Sequence, residues 1–130
     1  MTKPSGQTGK GMTLFIVDDH PAFRRAVRRT LTAGGFEVVG EAGGVRAARD
    51  ALDGNNGLKP RVVLLDVHLP DGDGFEIAQW LSGQDDPPLV VMTSDGEAED
   101  LEELALRSGA RAFVEKTRLT ARTLSAALAG

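Results

Sequence analysis

Cysteine is absent from the 130 residues, which excludes a disulfide framework and any thiolate metal site and suits a reducing compartment. Long apolar runs are missing too. Nothing approaches the roughly 20 consecutive apolar residues that span a bilayer, and the N-terminus has no hydrophobic signal core, so a soluble, cytoplasmic protein without a membrane partner is expected. Positive charge is in deficit, with a net charge of −4 and a pI of about 5.1. No global field therefore favours phosphate backbones, and nucleic-acid binding by this chain alone is not expected. What remains is 41% apolar residues in a length that holds one core and leaves no room for a second folded domain.

Residues Met1 to Gly11 are polar and glycine-rich with nothing to bury, and are expected to form a flexible leader (1–11) ahead of a single domain at 12–130. From there, short β-branched runs alternate five times with longer amphipathic stretches, the pattern of a parallel sheet wound with helices. The expected strands are Thr13 to Asp18, Phe36 to Gly40, Arg61 to Asp66, Leu89 to Thr93 and Ala112 to Glu115. The third is the most apolar and is expected at the centre. The expected helices start at Pro21, where a missing N–H costs nothing, at Val45, Phe75 and Glu97, and at Leu119. Leu69 to Gly74 (LPDGDG) reads as loop throughout.

Open parallel α/β sheets carry their chemistry at the carboxyl ends of the strands. Strand one ends at Asp18 and Asp19, strand three at Asp66, strand four at Thr93 and Ser94, and Lys116 follows strand five. Acids packed that closely repel unless a cation joins them, and hard oxygen ligands with room for water suit Mg²⁺. One carboxylate is then available as a nucleophile toward phosphorus, with the lysine as a second positive charge for the phosphoryl oxygens. A strand-end hydroxyl can move onto an arriving phosphoryl group, leaving space for a neighbouring side chain, for which Phe113 is the candidate.

VDDHP at Val17 to Pro21, LLDVHLPDGDG at Leu64 to Gly74, MTS at Met92 to Ser94 and SGARAFVEK at Ser108 to Lys116 together resemble the receiver domains of two-component response regulators, the CheY-like superfamily, from about Leu14 to Leu128. The resemblance implies a flavodoxin-like, doubly wound five-stranded parallel sheet of order 2-1-3-4-5 with five helices. It also implies a phosphorelay role in which a sensor histidine kinase phosphorylates Asp66. Asp18, Asp19, Asp66 and the backbone carbonyl of His68 would hold Mg²⁺. Lys116 would be the invariant-type cation and Phe113 the rotating aromatic. Counting from Pro88 makes Thr93 the switch hydroxyl, whereas counting back from Lys116 makes it Ser94; both stand, with Thr93 favoured. Thr117 replaces the proline that often follows the lysine. That variant and DDHPAFR at Asp18 to Arg24 resemble the subgroup with helix-turn-helix output domains of the nitrate-response and quorum-sensing type.

Blander readings stand beside these. Asp18 and Asp19 also suit helix capping, Asp66, Thr93 and Ser94 suit turns, and Lys116 a solvated surface. His20 and His68 suit solvated loops, with His68 also placed to tune the lifetime of a phosphoryl group. Arg24, Arg25, Arg28 and Arg29 read as a solvated helix face, and DGDG at Asp71 to Gly74 as a turn. Acidic residues of the fourth helix and Arg111, Arg118 and Arg122 would complement one another in a homodimer. The chain is expected not to be an enzyme, but a signalling domain that assists its own phosphorylation and dephosphorylation and acts on a downstream target or output domain. The rivals are an aspartyl-nucleophile phosphatase or phosphotransferase, where the second acid such enzymes need is replaced by His68, and a phosphate-independent receiver acting as a binding module. A nucleotide- or flavin-binding module lacks G-x-G-x-x-G after strand one.

Overall fold

Five parallel strands form the centre of the fold: β1 (Thr13–Val17), β2 (Glu37–Ala42), β3 (Val62–Asp66), β6 (Leu89–Ser94) and β7 (Ala112–Glu115), in the order β2-β1-β3-β6-β7. This is the expected 2-1-3-4-5 order; a two-stranded hairpin of β4 (His68–Leu69) and β5 (Gly72–Asp73) stands apart from the sheet. The computed structural model describes residues 11–54, 57–96 and 99–129. The expected leader, apart from Gly11, lies outside the described residues, as does Glu97, where the fourth helix was expected to start.

The central strand β3 is buried at every position, as its unbroken VVLLD requires when helices cover both faces. Period two divides the strands between two cores. Leu14, Ile16, Val62, Leu64 and Val91 pack with Val27 and Leu31 of α1 (Pro21–Ala33) and with Leu124 and Leu128 of α5 (Ala121–Ala129). Phe15, Val17, Val63, Leu65, Met92 and Phe113 pack with α2 (Val45–Leu52), α3 (Gly74–Ser82) and α4 (Glu99–Arg107). Removing each such leucine from water contributes about 2 kcal/mol.

Several boundaries differ from the sequence expectation. β1 stops at Val17, so Asp18 lies just past the strand. β2 starts one residue late and continues to Ala42, because Gly40 does not end it. Gly40 lies beneath Phe15, where a Cβ would come 2.7 Å from Phe15 Cε2. LPDGDG is not all loop: it holds most of the hairpin and the first residue of α3. The closing helix begins at Ala121, after a 3-10 turn at Lys116–Arg118.

Candidate functional site

Alternation along the strands selects what reaches the acidic rim. Asp66 follows Leu64 by two, Thr93 follows Val91 and Asp18 follows Ile16, so all three continue the face that packs on α1 and α5. Asp66 and Thr93 are paired in register across β3 and β6. Lys116, two residues beyond Val114 of the same core, reaches back along that face. Its Nζ lies 2.6 Å from Asp18 Oδ2, 3.1 Å from Asp66 Oδ2 and 4.5 Å from the centre of the Phe23 ring on α1. The three charged side chains are between 2% and 6% exposed, too little for bulk water to screen them.

Backbone donors complete the setting. Asp66 Oδ1 accepts the His68 N–H at 3.1 Å, and Asp18 Oδ1 accepts the His20 N–H at 2.7 Å. Neither of the first two acids makes a side-chain cap on α1, whose N-cap is His20, so capping does not account for them. Burial pushes the Asp66 carboxyl above its ordinary value and the charge of Asp18 adds to this, while the bonds from Lys116 and the His68 N–H pull against it. Burial works against the charge on Lys116 as well. Its bonds to Asp18 and Asp66 outweigh that, and the ammonium is held above its ordinary value.

Ligand atoms of Asp18, Asp19, His20 and Asp66 converge within 4.8 Å of one another. Among the described residues no hydrogen-bond donor reaches the buried Asp19 Oδ1, and such a carboxylate oxygen fits a hard divalent cation. The residues present therefore suit Mg²⁺.

The two hydroxyl candidates separate. Both are buried, but Thr93 stands in register with Asp66, whereas Ser94 pairs with Glu115 and its Oγ accepts the Gly96 N–H at 3.1 Å. Phe113 is buried among Val90, Met92 and Ala105 on the sheet's other face, in register with Met92. His68 is exposed at the start of the hairpin.

Three contributors were not legible beforehand. Asp71 caps another element: its Oδ1 accepts the Val45 N–H at 2.7 Å and its Oδ2 the Arg46 N–H at 3.0 Å. It thereby replaces the side chain that the N-cap Gly44 lacks. These donors hold the Asp71 carboxyl below its ordinary value. Asp73 caps α3 through the Glu76 N–H at 2.9 Å, and at Gly74 a Cβ would lie 2.2 Å from the Asp66 carbonyl oxygen. The DGDG run is thus more than a turn: it is the clamp that holds the loop after Asp66. The arginines of α1 are also not one solvated face. Arg24 and Arg28 both bind Glu41 of β2, and Arg24 Nη1 donates to the Asp18 carbonyl.

The family model described as response regulator receiver domain matches residues 14–129. A protein-glutamate methylesterase/protein-glutamine glutaminase of Archaeoglobus fulgidus is 36% identical over 108 residues, covering 81% of this chain and 30% of that protein. The transcriptional regulatory protein KdpE of Mycobacterium tuberculosis is 35% identical over 106 residues, covering 81% of this chain and 45% of that protein. The chain thus spans less than half the length of either relative. Among solved structures, the signal receiver domain of NarL from Mycobacterium tuberculosis superposes with a TM-score of 0.76 at 30% identity, covering 92% of this chain and 94% of that one.

Proposed function

This chain belongs to the response regulator receiver domain family of two-component signalling, and from that premise we propose that Asp66 is its phosphoacceptor, charged by the phosphohistidine of a sensor histidine kinase. The observation that carries the reading is the contact of Lys116 Nζ with both Asp18 and Asp66 at the buried ends of the strands. An Asp66 oxygen attacks phosphorus, the bond from phosphorus to the donor's nitrogen breaks, and the phosphoryl group passes to the carboxylate as an acyl phosphate. Lys116 exchanges its carboxylate contact for the incoming phosphoryl oxygens. Mg²⁺ held by Asp18, Asp19, Asp66 and the His68 carbonyl would supply charge neutralisation for nucleophile and phosphoryl group alike. Thr93, in register with Asp66, is the hydroxyl that turns toward the phosphoryl group, and exposed His68 flanks the path of the attacking water. In this role the domain is a signalling device and not an enzyme on a separate substrate.

Receiver domains of this family interact with histidine kinases and with output domains. Here the output face is proposed to be α4 with β7 and α5, where Leu104 and Leu106 are exposed large apolar side chains and Phe113 of β7 shares the core with Ala105 of α4. Phosphorylation would shift a pre-existing equilibrium of this face, altering a downstream contact or a homodimer built on the acidic α4 and Arg111, Arg118 and Arg122. Incubation with acetyl phosphate and Mg²⁺, read by intact mass, tests the reading. Wild type gains one phosphoryl group and Asp66→Asn gains none; an equal gain in both would overturn it.

A further inference from the structure

The loop that leaves Asp66 is tied to a helix with no part in the scheme above. Its own pairing, His68 with Asp73 and Leu69 with Gly72, and the cap that Asp73 makes on α3 hold it to the stretch that follows. Asp71, at the tip of that hairpin, reaches across to α2 instead. Both of its oxygens are engaged there, Oδ1 by the Val45 N–H at 2.7 Å and Oδ2 by the Arg46 N–H at 3.0 Å, so the carboxylate is fixed in direction as well as in place. The two backbones are bare where they meet. A Cβ at Gly44 would come 2.7 Å from Asp71 Oδ1, and one at Gly72 would come 2.9 Å from Val45 Cγ2, so glycine on each side admits the close approach. Both hydrogen bonds lie at the surface, where water replaces a lost partner at small cost. What they add is direction more than stability.

We propose that Asp71 is a positioning residue of the phosphoryl-transfer site: by docking the hairpin on α2 it holds the His68 carbonyl where the divalent ion needs it, and so sets the affinity for Mg²⁺. The proposal rests on the reading of Asp66 as phosphoacceptor with Mg²⁺ in the acidic pocket. His68 stands three residues before Asp71 on the same hairpin, and Mg²⁺ demands near-ideal octahedral geometry, so a small displacement of one ligand weakens binding. Helix capping alone is the competing role, and Gly44 separates the two. In Asp71→Ala the space beside Gly44 is free, and a serine there, at an N-cap whose backbone is extended, caps α2 from within the helix's own chain segment. Gly44→Ser/Asp71→Ala therefore combines a capped helix with an untied loop.

The test compares the full chain as wild type, Asp71→Asn, Asp71→Ala and Gly44→Ser/Asp71→Ala by calorimetric titration with Mg²⁺, by urea unfolding in EDTA, and by intact-mass labelling with acetyl phosphate over a range of Mg²⁺ concentrations. The urea midpoint should fall in Asp71→Ala and return in the double variant. Both should bind Mg²⁺ about tenfold more weakly than wild type and need correspondingly more of it for half-maximal labelling, with the labelling rate at saturating Mg²⁺ retained. Asp71→Asn, which keeps one acceptor oxygen, should fall between wild type and Asp71→Ala. Mg²⁺ affinity that returns with the midpoint in the double variant, or that never falls in Asp71→Ala, overturns the positioning role, while labelling of wild type at Asp66 still upholds the phosphoacceptor reading. A wild type that takes up no phosphoryl group overturns that reading and the proposal with it.

Discussion

Lys116→Met removes the ammonium that joins two buried carboxylates and keeps most of the apolar stem. At an effective dielectric constant of about 20, attractions across 2.6 and 3.1 Å amount to about 6 and about 5 kcal/mol. The repulsion between the two carboxylates is present in both proteins, and the variant recovers about 3 kcal/mol of the loss only by protonating one of them. Desolvating the lysine offsets much of the remainder, so the expected net destabilisation is about 3 kcal/mol. Urea unfolding in EDTA reads this directly. Without the competing ammonium the variant should bind Mg²⁺ more tightly than wild type, so at one Mg²⁺ concentration it gains more stability and the gap to wild type should narrow. A variant within about 0.5 kcal/mol of wild type in EDTA, the range of an ordinary surface substitution, would refute the idea that Lys116 compensates the acids.

Three further outcomes follow from the same geometry. Burial raises the Glu41 carboxyl, but its bonds with Arg28 and Arg24 outweigh that and hold it below the ordinary value. Its stabilisation is therefore full above the unfolded value of about 4.3 and lost as pH falls through the lower folded value. The stability deficit of Glu41→Gln, measured by urea unfolding, should be clear at neutral pH and shrink in acid; a constant deficit would contradict this. Gly74→Ala drives a Cβ against the Asp66 carbonyl and Met92 Cε, and should cost about 1–3 kcal/mol with slower acetyl phosphate labelling, whereas an unchanged Tm would show that the loop yields freely. Thr93→Ala should keep the mass gain at Asp66 but lose the phosphorylation-dependent NMR shifts of β7, while Ser94→Ala keeps both; the reverse pattern would assign the switch to Ser94.

The strands were legible because β-branched runs such as Val62 to Leu65 have one reading between two helical layers, and the rule that chemistry sits at strand ends then gathered Asp18, Asp66, Thr93 and Lys116. The capping by Asp71 was not legible, because its partners Val45 and Arg46 are 26 and 25 positions away and no local pattern links them. The available signal was the bare glycine at the start of α2, a helix in want of a cap. Gly40 misled for a related reason: glycine reads as a break, while here it makes room for Phe15. Arg24 and Arg28 matched a polar helix face, and only the neighbouring edge strand β2 reveals Glu41 beneath them.

On the proposed reading, folding makes Asp66 the nucleophile of a phosphoryl-transfer site. Borohydride reduction of the acetyl phosphate-treated protein converts an aspartyl phosphate to homoserine, and peptide mass mapping then locates it. Homoserine at position 66, and its loss when Mg²⁺ is withheld, is the predicted result; homoserine at another aspartate, or none in a protein that carries the label, would contradict the account.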